Sequence, residues 1–379
     1  MPSALFTPLS IRGVTLRNRL VVSPMCEYSS PNGFATDWHL VHLGSRAIGG
    51  AGAVLTEATA VTPDGRISSR DLGIYLDDHV EMLSRIFAFV GQHGAVPGMQ
   101  LAHAGRKAST AEPWNGGGPV SPDDGGWTPI WAPSAIPFRD GWQTPRAMTH
   151  DDIANVVAAF AAAAGRLLDA GGKIAEIHAA HGYLIHEFLS PLSNERSDEY
   201  GGSFDNRTRV LREVVNAVRG VWPERLPLFV RISATDWVEG GWTAEDSIAL
   251  VAQLKPLGVD VIDCSTGGNV PSAKIPLGPG YQVPFAERIR REAGVMTAAV
   301  GLITDAHQAE AILQNGQADL IAIGRQSQFN PNIAQHWAHD LGINTRFEDW
   351  SPEFGWWLEK RIRTMDGFAT PTGVVTQRC

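Results

Sequence analysis

Leu320-Ile321-Ala322-Ile323-Gly324-Arg325 is a four-residue apolar run that ends abruptly on a glycine and an arginine. A run this short, rich in branched residues and closed by a turn residue, reads as a strand buried on both faces, as in parallel sheets. Its ending also has a chemical reading. A glycine lets a phosphate oxygen reach backbone N–H groups, and an arginine adds a bidentate cation. One unit upstream the construction repeats, because residues 295–300 form a second such run and stop at Gly301. Taken singly, either glycine reads as an ordinary turn glycine and Arg325 as a surface charge. Together, at the ends of two consecutive runs, they match the phosphate site that (β/α)8 barrels build after their seventh and eighth strands.

Six more runs lie upstream, at 20–24, 53–58, 98–102, 174–178, 228–232 and 259–264. Amphipathic stretches alternate with the eight runs, at 38–48, 79–93, 151–170, 206–221, 244–257, 284–292, 305–314 and 332–341. Thr304-Asp305 and Thr243 are helix-opening signals, and Gly171-Gly172 closes another helix. Eight strand–helix units in alternation predict an α/β fold, a single (β/α)8 TIM barrel over residues 1–345. Two insertions interrupt it. Residues 113–140, rich in Gly, Pro and Trp, follow the third strand, and 189–203 follow the fourth. Loops after strands build the active site of a barrel. Residues 346–379 form a C-terminal extension whose Trp356-Trp357 pair calls for a packing partner, either this barrel or a second subunit.

Composition narrows the class. At 379 residues with 40 glycines, the chain is long enough for a large core with many tight turns. A formal net charge of -9 argues against nucleic-acid or anionic-membrane surfaces, so an anionic ligand must be held by a few local cations and backbone amides. The three cysteines, Cys26, Cys264 and Cys379, are far apart and form no metal-binding or cluster-binding pair. The count reads as a reduced, cytoplasmic protein. No signal peptide or membrane-spanning run is expected.

The strand ends carry the chemistry. The first runs into Ser23-Pro24-Met25-Cys26 and the second ends at Glu57-Ala58. The third carries Gln100 and the segment from His103 to Lys107, the fifth ends at Arg231, and the sixth gives Ser265-Thr266-Gly267-Gly268. A buried Arg231 needs an anion. It reads either as a structural ion-pair partner or as the cation beside N1 of a reduced flavin. Gln100 offers a donor and an acceptor, which suits the imide edge of such a ring. The sharpest segment is His178-Ala179-Ala180-His181-Gly182-Tyr183. Two histidines three apart face the same way, and three readings stand side by side. They are satisfied core residues, metal ligands with His186 and Glu187 in a barrel hydrolase or lyase, or two donors for one substrate oxygen with Tyr183 as proton source.

Five segments occur in order: 23–28, 100–107, 178–184, 197–203 and 323–325. Together they resemble the old yellow enzyme family, in its thermophilic-like class, and the similarity runs from about Leu5 to Asn330. Cys26 is the mark of that class, where other members usually carry Thr. The resemblance implies FMN held by Ser23, Pro24, Met25, Cys26, Ala58, Gln100, Arg231, Gly301, Gly324 and Arg325. It implies NADPH or NADH as reductant, substrate contacts from Tyr28, His178, His181 and Trp357, and Tyr183 as proton donor. Lys107 fits a flavin-edge or supporting role. The implied activity is reduction of activated C=C bonds in enones, enals, maleimides and nitroalkenes, with no metal. The class further implies a homodimer or a tetramer of dimers, in which Trp356, Trp357 or Arg361 caps a neighbouring site.

Overall fold

In the computed structural model, which describes residues 3–366, eight parallel strands close into a barrel. They are β1 (Leu20–Val22), β2 (Ala53–Ala60), β3 (Val96–Ala102), β4 (Ile174–Ala179), β5 (Leu228–Ser233), β6 (Val261–Ser265), β7 (Met296–Ala299) and β8 (Leu320–Ile323). Each pairs with its sequence neighbour, and β8 closes on β1 through Ile321↔Leu20 and Ile323↔Val22. Strands such as β2, β4 and β5 are buried at every residue, as expected when helices cover one face and the barrel core fills the other.

Eight helices surround the barrel: α1 (Asp37–Ile48), α2 (Val80–Gln92), α3 (His150–Asp169), α4 (Arg209–Val221), α5 (Ala244–Leu254), α6 (Val283–Ala293), α7 (Ala306–Gln314) and α8 (Ile333–Asp340). The expected order of strands and helices is therefore observed, with shifted boundaries. Helix α3 shows why such a segment folds. Thr149 accepts from the Asp152 N–H and Asp152 accepts from the Thr149 N–H, which satisfies the first turn. Ile153, Val156, Phe160, Ala163, Ala164 and Leu167 then form one buried stripe. Truncating a fully buried phenylalanine such as Phe160 to alanine costs about 3–5 kcal/mol.

Three features were not expected. An antiparallel hairpin, Leu9–Ile11 with Val14–Leu16, precedes the barrel. It is tied to the loops entering β5 and β6 by the Gly13 N–H to Arg225 carbonyl bond and the Arg12–Asp260 ion pair, so it sits at the N-terminal end of the strands. Strand β2 continues to Ala60 rather than stopping at Ala58, and its register against β3 shifts between Thr56 and Ala58, leaving Glu57 as the extra residue of a bulge. The two insertions brace each other. Arg196 donates to the carbonyls of Pro133 and Met148, and the Glu195 N–H donates to Ser134 Oγ. Trp127 and Trp131 anchor the first insertion by donating to the carbonyl and carboxylate of Asp64.

After α8 the chain divides in character. Trp350 is buried against its own chain, edge-on to Phe347. The following helix α9 (Pro352–Asp366) leaves Phe354, Trp356 and Trp357 exposed. Residues 367–379, including Cys379, lie outside the described residues. Among the described residues no helix is long and apolar enough to cross a membrane.

Candidate active site

The C-terminal ends of the strands surround a cavity of about 450 Å³. Seven of the residues expected to hold a cofactor line it: Ser23, Pro24 and Met25 after β1, Arg231 on β5, Gly301 after β7, and Gly324 with Arg325 after β8. Three do not. Ala58 lines a separate small pocket with Tyr183 and Asp71. Gln100 is buried in β3 with its amide Nε2 donating to Glu176 Oε1 at 2.7 Å. Cys26 is only partly exposed and lies beside Tyr28. Ser265, Tyr281 and Gln282 also line the cavity. Ser265 had been noted only as a strand-end residue, and Tyr281 and Gln282 sit just before α6 in a loop with no periodic signal.

The glycines after β7 and β8 have different surroundings. Gly301 has φ +113°, and a Cβ there would stand 2.7 Å from Gln282 Nε2, so its own chain demands glycine. At Gly324 an added Cβ would meet only Met25 Sδ, at 3.5 Å, an ordinary contact. Arg325 is exposed at the rim and makes no ion pair among the described residues.

Beneath the cavity lies a layer of buried charge. Arg231 Nε is 3.2 Å from Asp263 Oδ2, and Glu176 stands on the neighbouring strand. Burial, then the negative Asp263, push the Glu176 carboxyl up to about 8, against the opposing pull of Arg231 and Gln100. Burial raises Asp263 as well, again opposed by Arg231. Of the two sequence readings of Arg231 the ion pair is observed, and the residue also lines the cavity.

The histidine segment folds into a tight turn after β4. His181 has φ +60° and Gly182 φ +72°, both in the left-handed region. A Cβ on Gly182 would lie 2.3 Å from the Gly268 carbonyl oxygen, so this turn packs backbone on backbone against the turn after β6. Lys107 fastens the two turns together by donating from Nζ to the carbonyls of His181, at 2.8 Å, and Gly268. Burial, then Arg106, lower the Lys107 ammonium to about 7.

His178 Nε2 and His181 Nδ1 lie 3.4 Å apart. Burial, then the Arg231 guanidinium, hold both imidazoles well below their usual range, so both are neutral near pH 7. Tyr183 sits edge-on to His178, with ring centroids 5.0 Å apart. Burial, then Cys26 and Tyr28, raise its phenol well above the ordinary value, so it keeps its proton. Burial and the carboxylates of Asp71 and Glu57 likewise keep the Cys26 thiol protonated. Tyr28, at φ +49°, packs edge-on against Trp114 of the first insertion. These side chains lie near one another, yet none of His178, His181, Tyr183, Tyr28 and Cys26 lines the cavity of about 450 Å³.

His186 and Glu187 do not join them. His186 Nδ1 accepts from the Gly182 N–H and its Nε2 faces Asp236 at 3.0 Å, while Glu187 accepts from the Arg106 N–H. Among the described residues the ligand atoms that gather are those of His150, Asp198 and Glu199, on the outside of the protein. Trp356, Trp357 and Arg361 do not line the cavity of their own chain.

The chain matches the family described as NADH:flavin oxidoreductase / NADH oxidase family over residues 4–344. It is 51% identical over 345 residues to an NADPH dehydrogenase of Geobacillus thermodenitrificans (strain NG80-2), covering 90% of this chain and 96% of that one. Among solved structures it is similar to morphinone reductase in complex with tetrahydroNAD, at a TM-score of 0.75 and 27% identity over 90% of this chain and 91% of that one. It is also similar to 2-naphthoyl-CoA reductase, at a TM-score of 0.80 and 25% identity over 89% of this chain, and spans 52% of that longer chain.

Proposed function

This chain belongs to the NADH:flavin oxidoreductase / NADH oxidase family, as an FMN-dependent oxidoreductase of the old yellow enzyme type, and on that premise we propose that it is an ene-reductase that saturates activated C=C bonds. The observation that carries the proposal is the pair of neutral imidazoles whose facing nitrogens are 3.4 Å apart, beside a protonated Tyr183. That arrangement suits a carbonyl or nitro oxygen, an acceptor that gains charge as its conjugated double bond is reduced.

The cavity fits FMN. Gly324 leaves room in front of its backbone, and among the described residues Arg325 makes no ion pair and the buried Ser23 Oγ has no partner. Gly301, Gly324 and Arg325 would hold the phosphate. Arg231 would meet the polar edge of the ring, with Ser23, Pro24 and Met25 alongside. When bound, FMN would supply the hydride for the reduction and would be recharged by NADPH or NADH. His178 and His181 hydrogen-bond the substrate oxygen and polarise the double bond. Tyr28 and Trp357 of a neighbouring subunit add contacts, and Tyr183 gives its proton to the α-carbon. The Cys26 thiol, held neutral by burial and then by the carboxylates around it, would tune the flavin potential. The enzyme acts as a homodimer or a tetramer of dimers in which α9 reaches the neighbouring site, a reading supported by its exposed aromatics.

The test is optical. Oxidised enzyme mixed with p-hydroxybenzaldehyde develops a long-wavelength charge-transfer band when the phenolate oxygen takes the place of the substrate oxygen. The variant His178→Ala/His181→Ala is expected to retain FMN and lose the band. A normal band in that variant overturns the proposal.

A further inference from the structure

The turn after β7 is a strained piece of backbone. Gly301 has φ +113° and the next residue, Leu302, has φ +50°, a left-handed conformation that a leucine keeps only when its surroundings hold it there. The N–H groups of Leu302 and Ile303 make no hydrogen bond among the described residues, and both residues line the cavity. The carbonyls are what the protein ties down. The Gly280 N–H donates to the carbonyl of Gly301 at 3.0 Å, and Gln308 Nε2 donates to that of Leu302 at 3.3 Å. Tyr281 and Gln282, the last two residues before α6, close over the α-carbon of Gly301. A Cβ there would stand 3.0 Å from the Tyr281 ring and 2.7 Å from Gln282 Nε2.

Gln282 reaches further than its neighbours. It is 3% exposed and lines the cavity. Its Nε2 donates to the Val300 carbonyl at 3.1 Å, and because a carbonyl can only accept, this bond fixes which end of the amide faces β7. Its Oε1 then takes two hydroxyl protons from the end of β6, from Thr266 Oγ1 at 2.8 Å and from Ser265 Oγ at 3.3 Å. Among the described residues no other side chain is hydrogen-bonded to both turns. We propose that Gln282 is the positioning residue of the turn after β7: it ties the backbone at Val300 and Gly301 to the end of β6, and so holds the free N–H groups of Leu302 and Ile303 in place for a phosphate. With this brace the turn cannot shift without breaking bonds to a second strand end. The residues assigned to the flavin ring, Ser23, Pro24, Met25 and Arg231, belong to β1 and β5 and make no hydrogen bond to Gln282. Loss of the brace therefore acts on the phosphate end of the cofactor and leaves the ring end in place.

This inference rests on the reading that the turns after β7 and β8 hold the FMN phosphate, and riboflavin, which lacks that phosphate, separates the two. Holoenzyme is equilibrated with mixtures of FMN and riboflavin, bound and free flavins are separated by ultrafiltration, and chromatography of each fraction gives the affinity ratio. Gln282→Met is expected to lower the preference for FMN over riboflavin about 10-fold, because the phosphate loses its positioned partners while the ring keeps its own. Arg325→Met, which removes the cation at the rim, is expected to lower it as well. A residue that merely stabilises the barrel would weaken both flavins alike and leave the ratio unchanged. Gln282→Asn keeps an amide but is one methylene short of spanning both turns, so it should lower the ratio too, and it stands in if Gln282→Met does not fold. A ratio that falls in Arg325→Met and is unchanged in the Gln282 variants overturns the role of Gln282 and leaves the phosphate reading intact. A ratio unchanged in all three variants puts the phosphate elsewhere and overturns both.

Discussion

Tyr183 and Glu176 are both held in their neutral forms, with opposite consequences. For Tyr183 the retained proton is the useful feature, because a group that donates at the reacting carbon must still carry its proton at working pH. Tyr183→Phe keeps the ring beside His178 and removes only the hydroxyl. Reduction of FMN by NADPH is expected to stay near the wild-type rate, while saturation of a simple cyclic enone slows by ~10²–10⁴, the usual worth of a general acid. Stopped-flow measurement of the two half-reactions separates these effects, and an unchanged enone rate removes Tyr183 from the chemistry. For Glu176 neutrality is a condition of stability. Its carboxyl is raised from 4.5 to about 8, so between these values the folded protein holds a proton that the unfolded chain has released. Stability from this group is therefore full below pH 4.5 and is lost as pH rises through 8. Glu187, also raised to about 8, and Asp71, raised to about 7, act in the same direction. Glu176→Gln cannot ionise, so its melting temperature should fall less between pH 5 and 8 than that of the wild type. Parallel melting curves across that range would place the Glu176 proton elsewhere.

At the scale of elements, the turns after β4 and β6 are the parts that tolerate least. Gly182 combines φ +72° with a backbone oxygen 2.3 Å from where a Cβ would sit, and neither can relax by moving a side chain. Gly182→Ala should therefore cost about 1–3 kcal/mol from strain alone. It should also push the His181 turn away from Gly268, so phenol binding should weaken more than FMN binding. Equal losses of both would mean that the turn moves as part of the whole barrel mouth. The same scale shows what the sequence could reveal. The eight strands were legible because burial on both faces makes them continuous apolar runs, and the cavity-lining Ser23, Arg231, Gly301, Gly324 and Arg325 were legible because they end those runs. The hairpin was not, since three-residue strands such as Leu9–Ile11 are too short to show a period. Nor was the bulge at Glu57, which exists only as a mismatch between two paired strands. Ala58 was placed at the cofactor by family likeness, Gln100 also by its paired donor and acceptor, and both lie off the lining of the cavity. Ser265 had no signal beyond its strand end, because its contact with His181 joins residues 84 apart in sequence.

For the molecule as a whole, the aromatic tail does not behave as one unit. Trp350 belongs to its own barrel, 8% exposed and packed with Phe347 and His336. Phe354, Trp356 and Trp357 on α9 are 48%, 52% and 64% exposed, a concentration of apolar surface that water does not favour. A second exposed group, Trp38, Val41 and Phe329, lies on α1 and after β8. Trp38 Nε1 and Gln328 Nε2 both donate to the carboxylate of Glu27, so this group adjoins the segment that carries Cys26 and Tyr28. An α9 helix from a second copy seated there would cover both surfaces and bring Trp356, Trp357 or Arg361 to the mouth of the site. The informative truncation ends the chain after Ser351, not earlier, because removing Trp350 would open the barrel's own packing. That shortened protein is expected to fold and keep FMN, since every cavity-lining residue precedes the cut. It should sediment as a monomer where the full chain is expected to sediment as a dimer or tetramer, and bind enones more weakly because the mouth stays open. Trp357→Ala in the full chain should weaken enone binding while leaving assembly largely intact, which separates the cap from the contact. A full-length protein that sediments as a monomer, or a truncated one that keeps both its assembly and its enone affinity, would show that each barrel works alone and that α9 packs elsewhere.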